Sequence, residues 1–146
     1  LFRSRLGEEL LAAGFTNVRR YQLGAPIWRA LVGVMEIELE GVLHVYRGDR
    51  TAVFIDARER EEFAAGTIAG ARNIPRSLVL VGKDVGELVK AKNDGRLPME
   101  DHNTRIIVIG RDSVQARFVA EQIAREAFHN VAYFVGTYAT LRSVIR

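Results

Sequence analysis

The sequence predicts an α/β domain built around a mainly parallel sheet. Two short, nearly continuous apolar runs, TAVFID at 51–56 and RIIVIG at 105–110, have the character of strands covered on both faces. Segments with apolar residues at helical spacing alternate with runs of this kind, which is the order expected of βα units. Glycine, proline and polar stretches punctuate the alternation. At 146 residues the chain is long enough for one domain with an extension.

The elements follow in order. Residues 4–13 carry Leu6, Leu10 and Ala13 at helical spacing, with Gly14 as a stop, and 17–23 reads as a short strand. Pro26 opens a second short helix containing Ile27, Trp28 and Leu31, where packing is the default role for Trp28. Residues 36–46 are ambiguous. Ile37 and Leu39 alternate as in a strand, whereas Leu39, Val42, Leu43 and Tyr46 recur as in a helix; a helix ended by Gly48 is the preferred reading. After strand 51–56, residues 59–64 suit a short helix and 71–74 a short strand that Pro75 ends. A helix is expected over 83–93, followed by the polar loop NDGRLPMEDHN. Strand 105–110 then leads into a helix from Val114 to Glu126 with Val119, Ile123 and Ala127 inward. Strand 130–135 and a terminal helix near 138–145 complete the series.

Composition removes several function classes. The chain has no cysteine, so disulfides, thiolate zinc sites, iron–sulfur clusters and thiol chemistry are excluded for it. His44, His102 and His129 show no ligand spacing, so neither a metal nor any other cofactor is expected. No apolar run approaches the ~20 residues that span a bilayer, and no secretory segment opens the chain. A soluble, cytoplasmic protein without membrane contact is therefore expected. The formal charge of +3 resides wholly in residues 1–33, which hold five arginines against Glu8 and Glu9. Residues 34–146 are neutral, and five dispersed arginines form a solvated face rather than a stripe tracking phosphates, so no nucleic-acid partner is expected.

The two ends of the chain repeat each other. Shifting 3–33 by 113 positions matches Glu8 with Glu121, Phe15 with Phe128, Asn17 with Asn130, Val18 with Val131 and Arg29 with Arg142. Apolar positions coincide as well, as in Leu6 with Val119 and Leu10 with Ile123. The expected division is therefore 1–33, the C-terminal remnant of an upstream copy, and 34–146, a complete domain.

Residues 54–75, FIDAREREEFAAGTIAGARNIP, carry a long motif of fixed spacing. It comprises Asp56, Arg58, Glu62, Phe63, Gly66, Ile68, Gly70, Ala71, Asn73, Ile74 and Pro75. This pattern resembles the rhodanese homology domain, the family of sulfurtransferases and their relatives, over roughly 36–146. The tail signature of the same family also fits 3–33. Thr67 stands where the family usually has His. The resemblance implies a five-stranded, mainly parallel sheet with helices on both faces. It also implies an active-site loop directly after the strand at 105–109, where a Cys would carry sulfur. Family spacing puts that position at Gly110, so the loop Gly110, Arg111, Asp112, Ser113, Val114 and Gln115 is vestigial as regards sulfur transfer. The corresponding position of the upstream copy would fall just before Leu1.

The residues themselves suggest more modest roles. Arg58 and Glu62 lie four apart and can pair across a helical turn. Gly66 and Gly70 permit backbone closed to other residues. Asp56, at the end of a buried strand, lies where α/β sheets place their sites, yet it reads best as a carboxylate supporting the loop together with Arg58. Asp112 and Gln115 resemble a capping box. Ser113 has no histidine in sequence relation to it, so serine catalysis is not expected. A cradle of loop N–H groups, helped by Arg111, could instead hold a small anion, although Asp112 would repel one. The expected function is a non-catalytic structural, regulatory or protein-binding module of a tandem sulfurtransferase-like parent, its partner a protein or a second domain of this kind. The alternative is a small-anion-binding module, or an enzyme of different chemistry, using the 110–115 loop.

Overall fold

The structure, a computed structural model, describes residues 34–145. The helix–strand–helix and the remnant domain read for 1–33 lie outside the described residues.

Five strands form one parallel sheet. They are β1 (Met35–Ile37), β2 (Val53–Asp56), β3 (Arg72–Asn73), β4 (Ile106–Ile109) and β5 (Val131–Phe134), in the spatial order β1-β5-β4-β2-β3. The helices are α1 (Leu39–Gly48), α2 (Arg60–Ala65), α3 (Glu87–Asp94), α4 (Ser113–Ala124) and α5 (Tyr138–Val144), with a short 3-10 turn at Arg76–Leu78. None of the described helices is long and apolar enough to cross a membrane.

The central strands are buried on both faces because their alternate side chains enter two separate cores. Val53, Ile55, Ile106, Val108, Val131 and Tyr133 pack with Leu88 and Ala91 of α3 and with Ala116, Val119, Ala120 and Ile123 of α4. Phe54, Ile107, Ile109 and Phe134 pack on the other side with Val42 and Val45 of α1 and Leu141 of α5. This double burial is why 51–56 and 105–110 look uniformly apolar in the sequence. Helix α4 supplies the apolar stripe read from Val119 and Ile123, but it ends at Ala124, and Ala127 lies beyond it with a positive φ of 69°.

Two further element boundaries differ from expectation. Residues 36–46 do not form a single helix: Met35–Ile37 pair with Ala132–Phe134 as an edge strand, and α1 begins at Leu39. The helical recurrence of Leu39, Val42, Leu43 and Tyr46 belongs to α1, whereas the alternation of Ile37 with Leu39 spans the junction, since Leu39 is already helical. Gly41 makes the tight junction possible, since a Cβ there would lie 2.8 Å from the Ile37 side chain. Helix α3 starts at Glu87 rather than at 83, because the preceding turn passes through Asp84 and Gly86 with φ of 58° and 63°. Such left-handed backbone cannot continue into a helix.

Candidate functional site

Strands β2 and β4 end side by side, and the loops that leave them form the site. The Ala57 N–H donates to the Ile109 carbonyl at 2.7 Å, and the Tyr138 N–H donates to the Gly110 carbonyl at 3.0 Å. The 110–112 turn is thus held from the β2 side and from the start of α5.

Asp56 is fully buried and organises one half of the site. Its carboxylate accepts the Arg58 backbone N–H at 3.0 Å and the Thr67 hydroxyl at 2.8 Å. It also accepts Arg58 Nε at 3.1 Å and Nη2 at 2.8 Å. Arg58 Nη2 donates onward to the Gly66 carbonyl at 2.6 Å, and the guanidinium carbon lies 3.4 Å from the centre of the Tyr138 ring. Burial acts to lower the proton affinity of Arg58, but the bonds and charge of Asp56 outweigh it and hold the guanidinium above its ordinary value. The Asn73 side chain donates to the carbonyls of Asp56 and Arg58 at 2.9 Å each. Four residues of the spaced motif, Asp56, Arg58, Gly66 and Asn73, are therefore joined with Thr67 in one hydrogen-bonded network, in which Asp56 accepts loop bonds as expected. Gly66, with φ 156°, and Gly70, with φ 88°, use the backbone freedom read for them.

The pairing of Arg58 with Glu62 across a helical turn does not occur. Arg58 is engaged by Asp56, and Glu62 faces the other loop, where Arg111 Nη2 donates to it at 2.8 Å. Arg58 lies before the start of α2, so the spacing of four does not stack the two side chains on one helical face. The hydrogen bond from Arg111 holds the Glu62 carboxyl below the usual range, and Glu62 in turn raises Arg111.

Two N–H groups of the 110–115 loop, those of Arg111 and Gln115, find acceptors within it. Asp112 caps α4, its carboxylate accepting the Gln115 N–H at 2.9 Å. The reciprocal arm of the expected capping box goes elsewhere: Gln115 Oε1 accepts the Arg111 N–H at 2.7 Å. The Ala116 N–H donates to the Asp112 carbonyl at 3.2 Å. With Arg111 paired to Glu62, the help expected from it for an anion is already committed. Ser113 lies on the first turn of α4, and Val114 beside it is 77% exposed. The histidines lie away from that turn: His44 is within α1, His102 stacks on Phe128 at 4.4 Å ahead of β4, and His129 precedes β5. No general base reaches Ser113 from them.

Three contributors were not assigned roles from the sequence: Thr67, Tyr138 and the Glu62–Arg111 pair. Only Tyr138 left a usable signal, because Thr137 before it is a helix-capping residue type and does cap α5 through the Thr140 N–H at 3.1 Å.

Comparison with known proteins bears on the family and the fold. The model of one family, described as "Rhodanese-like domain", matches residues 42–141. A search of curated proteins finds no match. Among solved structures, the rhodanese-like domain of the Alr3790 protein from Anabaena sp. is 17% identical, with 75% of this chain and 74% of that one covered at a TM-score of 0.58. A Rhodopseudomonas palustris protein of unknown function, RPA3614, described as a possible tyrosine phosphatase, is 14% identical over 89% of this chain and 96% of its own, also at 0.58. Wild-type EanB is 20% identical over 70% of this chain but only 24% of its own length, at 0.53. At such identities these structures speak for the fold alone.

Proposed function

The chain belongs to the rhodanese-like domain family, and we propose that it is a non-catalytic member, acting as a structural, regulatory or protein-binding module. The observation that carries this reading is Gly110. The position at which the family resemblance calls for a sulfur-carrying thiol has no side chain, in a chain without any cysteine. A serine hydroxyl cannot take over by holding a persulfide, and Ser113 has no base beside it.

The partner we favour is a second rhodanese-like domain in a tandem, sulfurtransferase-like parent chain in the cytoplasm. This rests on the match between 3–33 and 116–146. A Cys-bearing loop in the parent would make the parent an enzyme while this domain stays inert. Small-anion binding at the loop has less support, because Arg111 is paired and the Arg111, Gln115 and Ala116 N–H groups already have acceptors.

A thiosulfate:cyanide assay on the purified chain tests the central claim. No protein-dependent thiocyanate is expected. Turnover that scales with protein and survives repurification would overturn the reading.

A further inference from the structure

The segment between β3 and α3 holds apolar side chains in water on a fastened loop. Leu78 is 38% exposed, Leu80 54% and Val81 67%. Single exposed apolar residues are ordinary, but three within four positions form a patch. The loop is pinned on both sides of Leu80 and Val81. Before them, Val79 is buried in the core shared with α3 and α4. After them, the Gly82 N–H donates to Gln122 Oε1 at 3.3 Å and the Asp84 N–H to Glu126 Oε2 at 2.8 Å. Gln122 and Glu126 are each 3% exposed, and Lys92 of α3 donates to Glu126 at 2.8 Å and also to Asp84. Gly86 lets the chain return beside Leu80, since a Cβ there would lie 2.9 Å from Leu80 Cγ. Buried polar groups that hold a loop in this way make its exposed residues a fixed surface.

We propose that Leu78, Leu80 and Val81 form a docking surface for an apolar stripe of a partner protein flanked by carboxylates. Charge selects this occupant. Arg76 and Lys83 bracket the patch in the chain. Neither forms an ion pair among the described residues, and the Arg76 guanidinium instead lies over the Phe118 ring of α4 at 3.6 Å. The carboxylates nearby are already engaged, Glu59 by Ser77 and both Asp84 and Glu126 by Lys92. An incoming carboxylate therefore meets two unpaired cations beside the apolar contact, which supplies steering and specificity. Residues 1–33 carry a net charge of +3 and lack the complementary sign, and the neutrality of 34–146 argues against a second copy. The inference rests on the protein-binding reading of this domain and deepens it. Its test involves no sulfur transfer, so docking and the absence of catalysis can fail independently.

The experiment is backbone amide NMR of the full chain, titrated with a synthetic amphipathic peptide bearing leucines on one helical face and glutamates beside them. The same peptide with lysine in place of glutamate is the control. The acidic peptide should give saturable shifts at residues 76–83 and at Phe118, with a Kd of roughly 0.1–1 mM. The double variant Leu80→Ser, Val81→Ser should abolish them. Replacing both cations, Arg76→Gln with Lys83→Gln, should weaken binding at least about fivefold, and added salt should act in the same direction. Gln122→Ala leaves the apolar side chains in place, and should weaken binding while speeding exchange of the Gly82 amide. No saturable shift, shifts confined to other residues, or equal binding by the lysine peptide would overturn the proposal. So would undiminished binding by the serine variant or by Gln122→Ala. Concentration-dependent shifts of 78–81 without peptide would also overturn it, by marking a second copy as the occupant.

Discussion

Removing the Arg58 side chain separates a structural role for the motif from an incidental one. Arg58→Ala deletes two guanidinium donors that reach Asp56 at 3.1 and 2.8 Å, one that reaches Gly66 at 2.6 Å, and the stack on Tyr138. An exposed ion pair would be worth about 0.2–1 kcal/mol. Here the side chains are 8% and 0% exposed, so the comparison is with a buried pair losing one partner, which costs about 3–5 kcal/mol. The Thr67 hydroxyl and the backbone N–H of residue 58 still reach Asp56 in the variant, and the Tyr138 hydroxyl still reaches Gly66 at 3.1 Å, which favours the lower end, about 3 kcal/mol. That is a large share of the roughly 5–15 kcal/mol that holds a domain folded, and it should lower Tm by roughly 10–20 °C. Urea denaturation of Arg58→Ala, Asp56→Ala and the double variant checks the figure and its origin. The double variant should be less destabilised than the two single losses combined, with a coupling of about 2 kcal/mol or more. A loss under about 1 kcal/mol for Arg58→Ala, or additive losses, would refute the account of the motif as one buried network.

Gly110→Ala should destabilise the domain by about 1–3 kcal/mol through overpacking against the Ala116 nitrogen and Gln115, measured by chemical denaturation; a neutral result would mean that the turn relaxes freely. Asp112→Ala should cost about 1 kcal/mol by freeing the Gln115 N–H at the start of α4, with faster amide exchange confined to that turn. The Glu62–Arg111 contact should weaken in acid. A carboxyl held low in the folded state contributes stability above its unfolded value of about 4.3 and loses it as pH falls through the folded value. Both side chains are substantially exposed, so the effect is small and screened by salt. Carboxyl NMR should find the Glu62 midpoint rising toward the ordinary range in Arg111→Ala, and an unmoved midpoint would count against the pairing.

What the sequence disclosed and what it hid divide along a physical line. The central strands were legible because double burial leaves an apolar run, and Gly66, Gly70 and Pro75 because backbone geometry restricts residue type. The β1–α1 junction was not, since a strand of three residues is too short to establish its period before the helix begins. The partners of charged side chains were the hardest to read. Arg58 had Asp56 two residues before it and Glu62 four residues after, and helix spacing favoured the wrong one, because α2 begins only at Arg60. Arg111 and Glu62 are 49 residues apart, and no local pattern announces such a contact. Gln115 shows a subtler limit: a capping-box spacing foretold the Asp112 bond, but not that the glutamine side chain would turn into the loop.

The motif that carries the family resemblance is the part of the site that needs no nucleophile. Asp56, Arg58, Gly66, Thr67 and Asn73 bond to one another and to backbone carbonyls, and they hold the ends of β2 and β3 and the segment after α2 in place. None of these five bonds to the 110–115 turn; the motif residue that does is Glu62, through Arg111, beside the bonds at Ile109 and Gly110. A chain can therefore keep the whole pattern while losing the chemistry, because selection for folding alone would retain those residues. Thr67 fits this view: a hydroxyl donating to Asp56 at 2.8 Å meets the requirement of the network although the usual histidine is absent. Activity in such a scaffold has to be argued from the turn and not from the motif. In this chain the turn holds a glycine at the position where the family resemblance calls for a nucleophile, and a glutamine carboxamide in the space beside it.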